Sequence, residues 1–323
     1  MRRRNNILKK LTFAGAALTM LAPIFISGQQ SKPAAPPEPE DTVFSTDTRL
    51  VPLNVTVTDK TGRLVTNLPQ SAFQVFENGV QQQIKLFKRE DVPVSMGLII
   101  DNSGSMREKR QGVESAALAL VKDSNPQDEV FIINFNDEVY LDTDFTSDIS
   151  KMEQGLTKID SRGGTAMRDA IKLSAEHLKE KAKRDKKVIL VVTDGNDNAS
   201  VVTLDALTKI AQQDDVLIYA IGLLTDEDKR EAKKAQRALQ LLVESTGGTV
   251  FYPKDVSEVD RIAHQVARDI RNQYTIAYTP SNTALDGTYR QIKLVVKAPG
   301  NPVARTRSGY YASKDQQAPK KPS

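Results

Sequence analysis

The 323-residue chain contains no cysteine. That excludes thiolate nucleophiles, cysteine-based zinc sites, disulfides and a lipid-modified N-terminal cysteine. Histidine is nearly as scarce, with His177 and His264 the only two. Both fall in helical patterns, His177 near Ala170, Ser174 and Leu178, and His264 beside an apolar stripe, so each reads as a helix residue and not as the base of a Ser-His-Asp hydrolase. No G-x-S-x-G elbow surrounds Ser103 or Ser105, and no G-x-G-x-x-G follows a strand, so the signatures of an α/β-hydrolase and of a dinucleotide-binding fold are both missing. A true basic excess is missing too. The formal charge is +4, but Arg2, Arg3, Arg4, Lys9 and Lys10 face no acid in the first 28 residues, and without those five cations the remainder carries −1. Nothing therefore argues for nucleic acid as a partner.

What is present begins with a basic start, an apolar segment from Leu11 to Ile26, and small residues at Ser27-Gly28. This is the layout of a secretory signal, and it predicts residues 1–28 as a signal peptide. The competing reading is an uncleaved anchor, although the segment falls short of the ~20 apolar residues of a comfortable span. Either reading places the body outside the cytoplasm, periplasmic or secreted, with membrane contact only through that segment. Residues 29–42, rich in Pro, Ala and charge, read as a solvated linker, and residues 313–323 as a disordered tail.

Between these ends the hydrophobic period changes twice. In residues 43–92 it is two: Leu53, Val55 and Val57 alternate with polar residues, Asp59 to Gly62 supply a turn, and Phe73-Gln-Val75 runs into Asn78-Gly79, a hairpin signal with Ile84 and Leu86 expected on its far side. In residues 93–272 buried strands alternate with helices. Strands are expected at Met96–Ile100, Val130–Phe135, Val139–Leu141, Lys187–Thr193, Val216–Leu224 and Thr249–Tyr252. Helices are expected through Val113–Val121, Ala166–Leu178, Leu204–Gln212, Asp226–Ser245 and Ser257–Ile270. In residues 273–312 the period returns to two, with strands at Tyr274–Tyr278, Gln291–Val296 and Arg305–Tyr311. The expected fold class is α/β, a doubly wound and mostly parallel sheet inserted between β-strand flanks. Each flank has too few strands to stand alone, so the two are expected to pair into one small β-sandwich.

The residues that carry chemistry lie at strand ends. The apolar run Met96 to Ile100 stops at Asp101, and Ser103 and Ser105 follow at alternate positions. A second loop, Ser161-Arg-Gly-Gly-Thr165, opens a helix. A third, Thr193-Asp194-Gly195, follows a buried strand. If the first and fourth strands of the central sheet are neighbours, these loops meet where strand order reverses, the usual ligand edge of such a sheet. Asp101, Ser103, Ser105, Thr165 and Asp194 would then converge five oxygen side chains, only two of them charged, a donor set suited to Mg2+ with waters retained.

This constellation resembles the metal-ion-dependent adhesion site of the von Willebrand factor type A domain, with Asp101-x-Ser103-x-Ser105, Thr165 and Thr193-Asp194-Gly195 as its three elements. The resemblance covers about Pro93 to Asn272. It implies hydroxyl ligation by the serines and threonine, aspartates that bind directly or through water, Mg2+ as the ion with Mn2+ or Ca2+ as substitutes, and a protein partner whose exposed Asp or Glu completes the shell. It also implies a non-enzymatic adhesion or scaffold module. The flank phrases Phe73-Gln-Val-Phe-Glu-Asn-Gly79 and Arg305-Thr-Arg-Ser-Gly-Tyr-Tyr311 resemble those of secreted acidobacterial type A-related proteins. Two alternatives stand beside this reading. One is a structural envelope component without a working metal site. The other is a metal-assisted hydrolase, which would want more carboxylates or a cationic clamp; the nearby cations are Arg107, Arg162 and Arg168, read as solvated. The mixed run Asp226 to Lys234 likewise reads as a solvated helix face.

Overall fold

The computed structural model describes residues 49–89, 91–123, 125–156, 161–195, 197–224 and 229–313. The expected signal peptide and linker lie outside them, as does the expected tail beyond residue 313. In the N-terminal flank, alternation gives β1 (Val51–Thr58), β2 (Phe73–Glu77), β3 (Val80–Gln82) and β4 (Ile84–Lys88). The middle runs β5 (Val94–Asp101), α1 (Arg110–Lys122), β6 (Glu129–Phe135), β7 (Val139–Thr146), α2 (Ile149–Leu156), α3 (Met167–Lys181), β8 (Lys186–Thr193), α4 (Leu204–Gln213), β9 (Val216–Gly222), α5 (Lys229–Thr246), β10 (Val250–Phe251) and α6 (Val259–Arg271). The C-terminal flank gives β11 (Tyr274–Tyr278), β12 (Tyr289–Val296), β13 (Val303–Arg305) and β14 (Gly309–Tyr311). The alternating middle and the two β flanks are the α/β class that the sequence pattern implies.

The central sheet has the order β10-β9-β8-β5-β6-β7, parallel except for the β7 edge, which returns from β6 as an antiparallel hairpin. Every residue of β5 is buried, because helices cover both faces of the sheet. On one face Leu98 and Ile100 pack with Val113, Leu120, Ile262 and Val266 from α1 and α6. On the other, Ile99 packs with Ile171, Leu178, Leu207 and Leu239 from α3, α4 and α5. Helix α2 has no counterpart among the sequence expectations. Half of its eight residues are polar, and only Met152, Gly155 and Leu156 are buried, so its apolar signal is too short to stand out before its neighbours are in place.

The two flanks form two further sheets, β13-β1-β11-β4 and β14-β12-β2-β3. Each contains strands from both ends of the described chain: β1 pairs with β11, and β2 with β12, both antiparallel. Their shared interior holds Leu53, Val55, Phe73, Val75, Tyr274, Ile276 and Tyr278. Within it Glu77 is buried and accepts hydrogen bonds from Tyr278 at 2.7 Å and Tyr310 at 2.9 Å, so a carboxylate from one flank is held by phenols of the other.

Two expectations for the flanks are corrected. Asn78 and Gly79, with φ of 48° and 82°, do make a two-residue hairpin turn, but the strand beyond it is β3. Ile84 and Leu86 lie instead on β4, which crosses to the other sheet and pairs with β11. Likewise the run Arg305 to Tyr311 is not one strand: β13 pairs with β1, and β14 with β12. Between them Arg307 is buried, donating to Asp215 and to the Pro52 carbonyl, each at 2.7 Å, and these contacts hold the chain as it passes from one sheet to the other.

Neither flank can close the sandwich core alone, so residues 43–92 expressed by themselves should give the undispersed NMR spectrum of an unfolded chain. A dispersed spectrum would contradict the shared core. A second prediction concerns Lys186, buried at the start of β8 with its ammonium donating to the Ile270 carbonyl at 2.5 Å. Burial lowers its pKa from 10.5 to about 7, although Asp91 and Asp128 pull the other way. Above pH 7 the unfolded chain therefore holds the Lys186 proton that the folded chain has released. This contribution makes stability rise with pH between about 7 and 9.5, by at most about 1.4 kcal/mol per unit. Denaturant titrations should show that slope, and Lys186→Met should flatten it.

Candidate functional site

Strand register builds the site. Parallel pairing of β5 with β8 aligns Ile100 with Val192, which puts Asp101 level with Thr193 at the edge where β6 lies on one side of β5 and β8 on the other. The Thr193 hydroxyl donates to Asp101 Oδ2 at 2.6 Å, and the Ser103 amide to Asp101 Oδ1 at 2.8 Å. Asp101 is 1 % exposed. Burial raises its pKa to about 6, with Asp194 adding to the rise and the bonds from Thr193 and Ser103 opposing it. From Ser103 a chain of oxygens leads across the loops: Ser103 Oγ lies 3.2 Å from Ser105 Oγ, and Ser105 Oγ donates to Asp194 Oδ1 at 2.9 Å.

The glycine loop is clamped against the first loop by backbone bonds from the Gly104 amide to the Gly163 carbonyl at 3.2 Å, and from the Arg162 amide to the Asn102 carbonyl at 3.0 Å. It also rests on the turn between β6 and β7, where the Gly164 amide donates to Asp137. Gly163 has a φ of 75°, and a Cβ at Gly163 or Gly164 would collide with the Asp137 carboxylate. The positive φ makes Gly163 a position that favours glycine, while at Gly164 the side chains of Asp137 and Asn198 would have to shift. Thr165 follows at once. Its amide donates to Asn198 Oδ1 at 2.9 Å, its carbonyl accepts from the amides of Asn198 and Ala199, and its hydroxyl lies 3.4 Å from where a Cβ on Gly195 would stand. The start of α3 is fixed to the same third loop, since the Arg168 amide donates to Asp197 at 2.7 Å and its guanidinium pairs with Asp197 at 3.0 Å.

All five predicted residues thus sit on three loops at one sheet edge. Asp101, Ser103, Ser105 and Asp194 are joined by direct hydrogen bonds, and Thr165 is bonded to Asn198 and Ala199 of the third loop. Among the described residues no group of three or more His, Cys, Asp or Glu side chains could hold a metal, so an ion here would depend on the hydroxyls. The oxygen spacing, which is that of hydrogen bonds, is also compatible with one. Adjacent vertices of an octahedron of 2.0–2.1 Å radius are about 3 Å apart, against the 3.2 and 2.9 Å found along Ser103, Ser105 and Asp194.

Residues 96–196 match the family model of the von Willebrand factor type A domain. The match runs from β5 through the loop after β8 and so contains all five residues. Solved structures similar to the chain include a von Willebrand factor type A protein from Catenulispora acidiphila, 12 % identical over 84 % of this chain and 76 % of that one, with a TM-score of 0.48. An aerotolerance-related membrane protein from Bacteroides fragilis is 18 % identical over 55 % of this chain and 98 % of that one, with a TM-score of 0.45. The von Willebrand factor domain of a type V pilus tip protein from Porphyromonas gingivalis is 14 % identical over 56 % of this chain and 97 % of that one, also with a TM-score of 0.45. No curated protein matches the chain.

Within the matched residues the structure adds a residue that sequence reading missed. Arg107 and Arg162 were expected to be among the nearest cations, but Lys109 is the one that reaches the acids. Its ammonium pairs with Asp194 Oδ2 at 2.5 Å and also donates to the Leu223 carbonyl at 3.3 Å. Arg107 instead donates to the Ser161 carbonyl at 3.2 Å. No local pattern marks it, because Lys109 lies in the turn before α1 and its partner Asp194 is 85 residues away. The histidines lie elsewhere, His177 bonded to Asp144 at 2.8 Å and stacked on Phe145, and His264 paired with Asp123.

Because the Asp194 side chain is only 1 % exposed, removing its counter-charge leaves a buried carboxylate held by the Ser105 hydroxyl. In EDTA, Lys109→Met is expected to lower the melting temperature by several degrees, corresponding to a loss of about 1–3 kcal/mol. A melting curve unchanged by the substitution would show that the pair does not support the site.

Proposed function

We propose that the chain is an exported, non-enzymatic adhesion or scaffold module whose type A region binds an acidic group of a protein partner through a divalent ion, Mg2+ foremost. The observation that carries the reading is the run of hydroxyl and carboxylate oxygens from Ser103 through Ser105 to Asp194, spaced like neighbouring ligands of a small hard cation. Asp101, Ser103, Ser105, Thr165 and Asp194 would hold the ion. Asp101 is already oriented from behind by Thr193, as a ligand with a fixed second partner should be. Bound there, the ion supplies one electrophilic position for a carboxylate from outside.

The serines are poorly placed to act as nucleophiles. Their hydroxyls bond to each other and to Asp194, while His177 and His264 are engaged with Asp144 and Asp123. Export is supported by the N-terminal pattern. Among the described residues no helix is long and apolar enough to cross a membrane.

One observation favours a second reading, a structural component with no resident ion: Lys109 already supplies a positive charge to Asp194. Thermal melts in Mg2+ and in EDTA separate the two. On the metal reading, saturating Mg2+ stabilises the wild type, by about 2.7 kcal/mol at a hundredfold excess over Kd. It should stabilise Lys109→Met by more, since the ion replaces the missing cation, and should leave Thr165→Ala and Asp101→Ala unaffected. Partner capture from envelope and culture fluid should follow the same pattern. Identical melts with and without the ion in every variant would leave the structural reading standing.

A further inference from the structure

Beside the five-residue site lies a cleft of about 590 Å3 that the metal reading does not use. Gly195 and Asp197 of the third loop form one end, together with Met167 and Arg168 at the start of α3. The long wall is one face of α5, where Arg230, Lys233, Lys234, Arg237, Ala238 and Leu241 line the cleft. These positions follow i, i+3, i+4, i+7, i+8 and i+11, a continuous helical stripe. Ala235 also lines the cleft, while the adjoining stripe, Leu239, Leu242 and Val243, turns into the core. Of the run that reads in sequence as mixed and solvated, the described part in α5 puts Arg230, Lys233 and Lys234 on the cleft side. Among the described lining residues five are cations and one, Asp197, is an acid already paired with Arg168. Lys234 has a loose contact with Glu231 at 3.6 Å. Leu204, Ala238 and Leu241 add apolar surface, and Leu241 is 47 % exposed.

We infer that this cleft is the second half of the partner site, and that it receives an acidic, apolar-containing peptide segment whose leading carboxylate sits at the Asp101–Asp194 loops. The inference rests on the metal reading for that leading carboxylate; the rest of the segment is specified by the cleft alone. From Arg230 to Leu241 the helix advances about 16 Å, the reach of roughly five extended residues. A segment of that length with acids on one side and apolar side chains on the other would meet both the cationic stripe and the apolar surface. A nucleic acid would satisfy the cations but not Leu204 and Leu241, and for that reason a peptide is favoured.

The test uses the full chain and a fluorescein-labelled octapeptide of alternating Asp and Leu, followed by anisotropy in Mg2+ and in EDTA. Wild-type protein should bind in Mg2+, with affinity falling as salt rises. The double variant Lys233→Glu/Arg237→Glu should weaken binding at least roughly tenfold in both media, since both charges become repulsive. Both positions are exposed, and Lys233→Gln/Arg237→Gln provides a milder variant, expected to lose about threefold. EDTA and Thr165→Ala should each remove the same further part of the affinity, that of the leading carboxylate. If EDTA changes nothing while the charge variants weaken binding, the metal reading fails and the cleft assignment stands. If the charge variants bind like wild type, or wild type does not bind at millimolar peptide, the cleft assignment is overturned. Equal competition by an octamer of oligothymidylate would overturn the assignment to a peptide.

Discussion

The parallel pairing of β5 with β8 is the constraint on which the rest depends. It brings Asp101 and Thr193 within one hydrogen bond of 2.6 Å, although they are 92 residues apart in the chain. Everything at the loop edge is arranged from that bond. Asp101 turns to hold the Ser103 amide, Ser103 and Ser105 lead to Asp194, and the glycine loop closes from the side by backbone bonds. A slip of one residue in this register would point Asp101 into the opposite face of the sheet and separate the two carboxylates.

The charge balance of the edge follows from the same geometry. Two carboxylates near one another and shielded from water repel, and the rise of the Asp101 pKa to about 6 reflects burial first, with Asp194 adding to it. Lys109 offsets the second carboxylate from within the chain. The proposed metal function and the observed ion pair therefore address one physical problem, neutralising buried negative charge, by an external cation in one case and an internal one in the other. The cations of α5 lie along one wall of the adjoining cleft.

The flanking sandwich has a different logic. Because β1 pairs with β11, and β2 with β12, both ends of the described chain are needed for its core, and the buried Glu77 between Tyr278 and Tyr310 adds a polar contact across the same seam. The central unit is thus held at both its ends by a structure it does not itself supply. The period-two alternation announced these strands, but it could not say which sheet each would join. The chain crosses between sheets at Gln83 and again at Thr306 to Ser308, and a crossing leaves no periodic trace because alternation continues through it.

By itself the sequence determined the alternation of strands and helices, the period-two flanks, and the three polar loops that carry Asp101, Ser103, Ser105, Thr165 and Asp194. It could do so because hydrophobic period and turn chemistry are local properties. Only the tertiary structure decided which loops meet, that Lys109 is the cation paired with Asp194, that α2 exists as a helix, and that the cations of α5 share one wall of a cleft. Each of these depends on contacts between residues far apart in the chain or on a helical face whose neighbours must first be in place, and neither is written in any single stretch of residues.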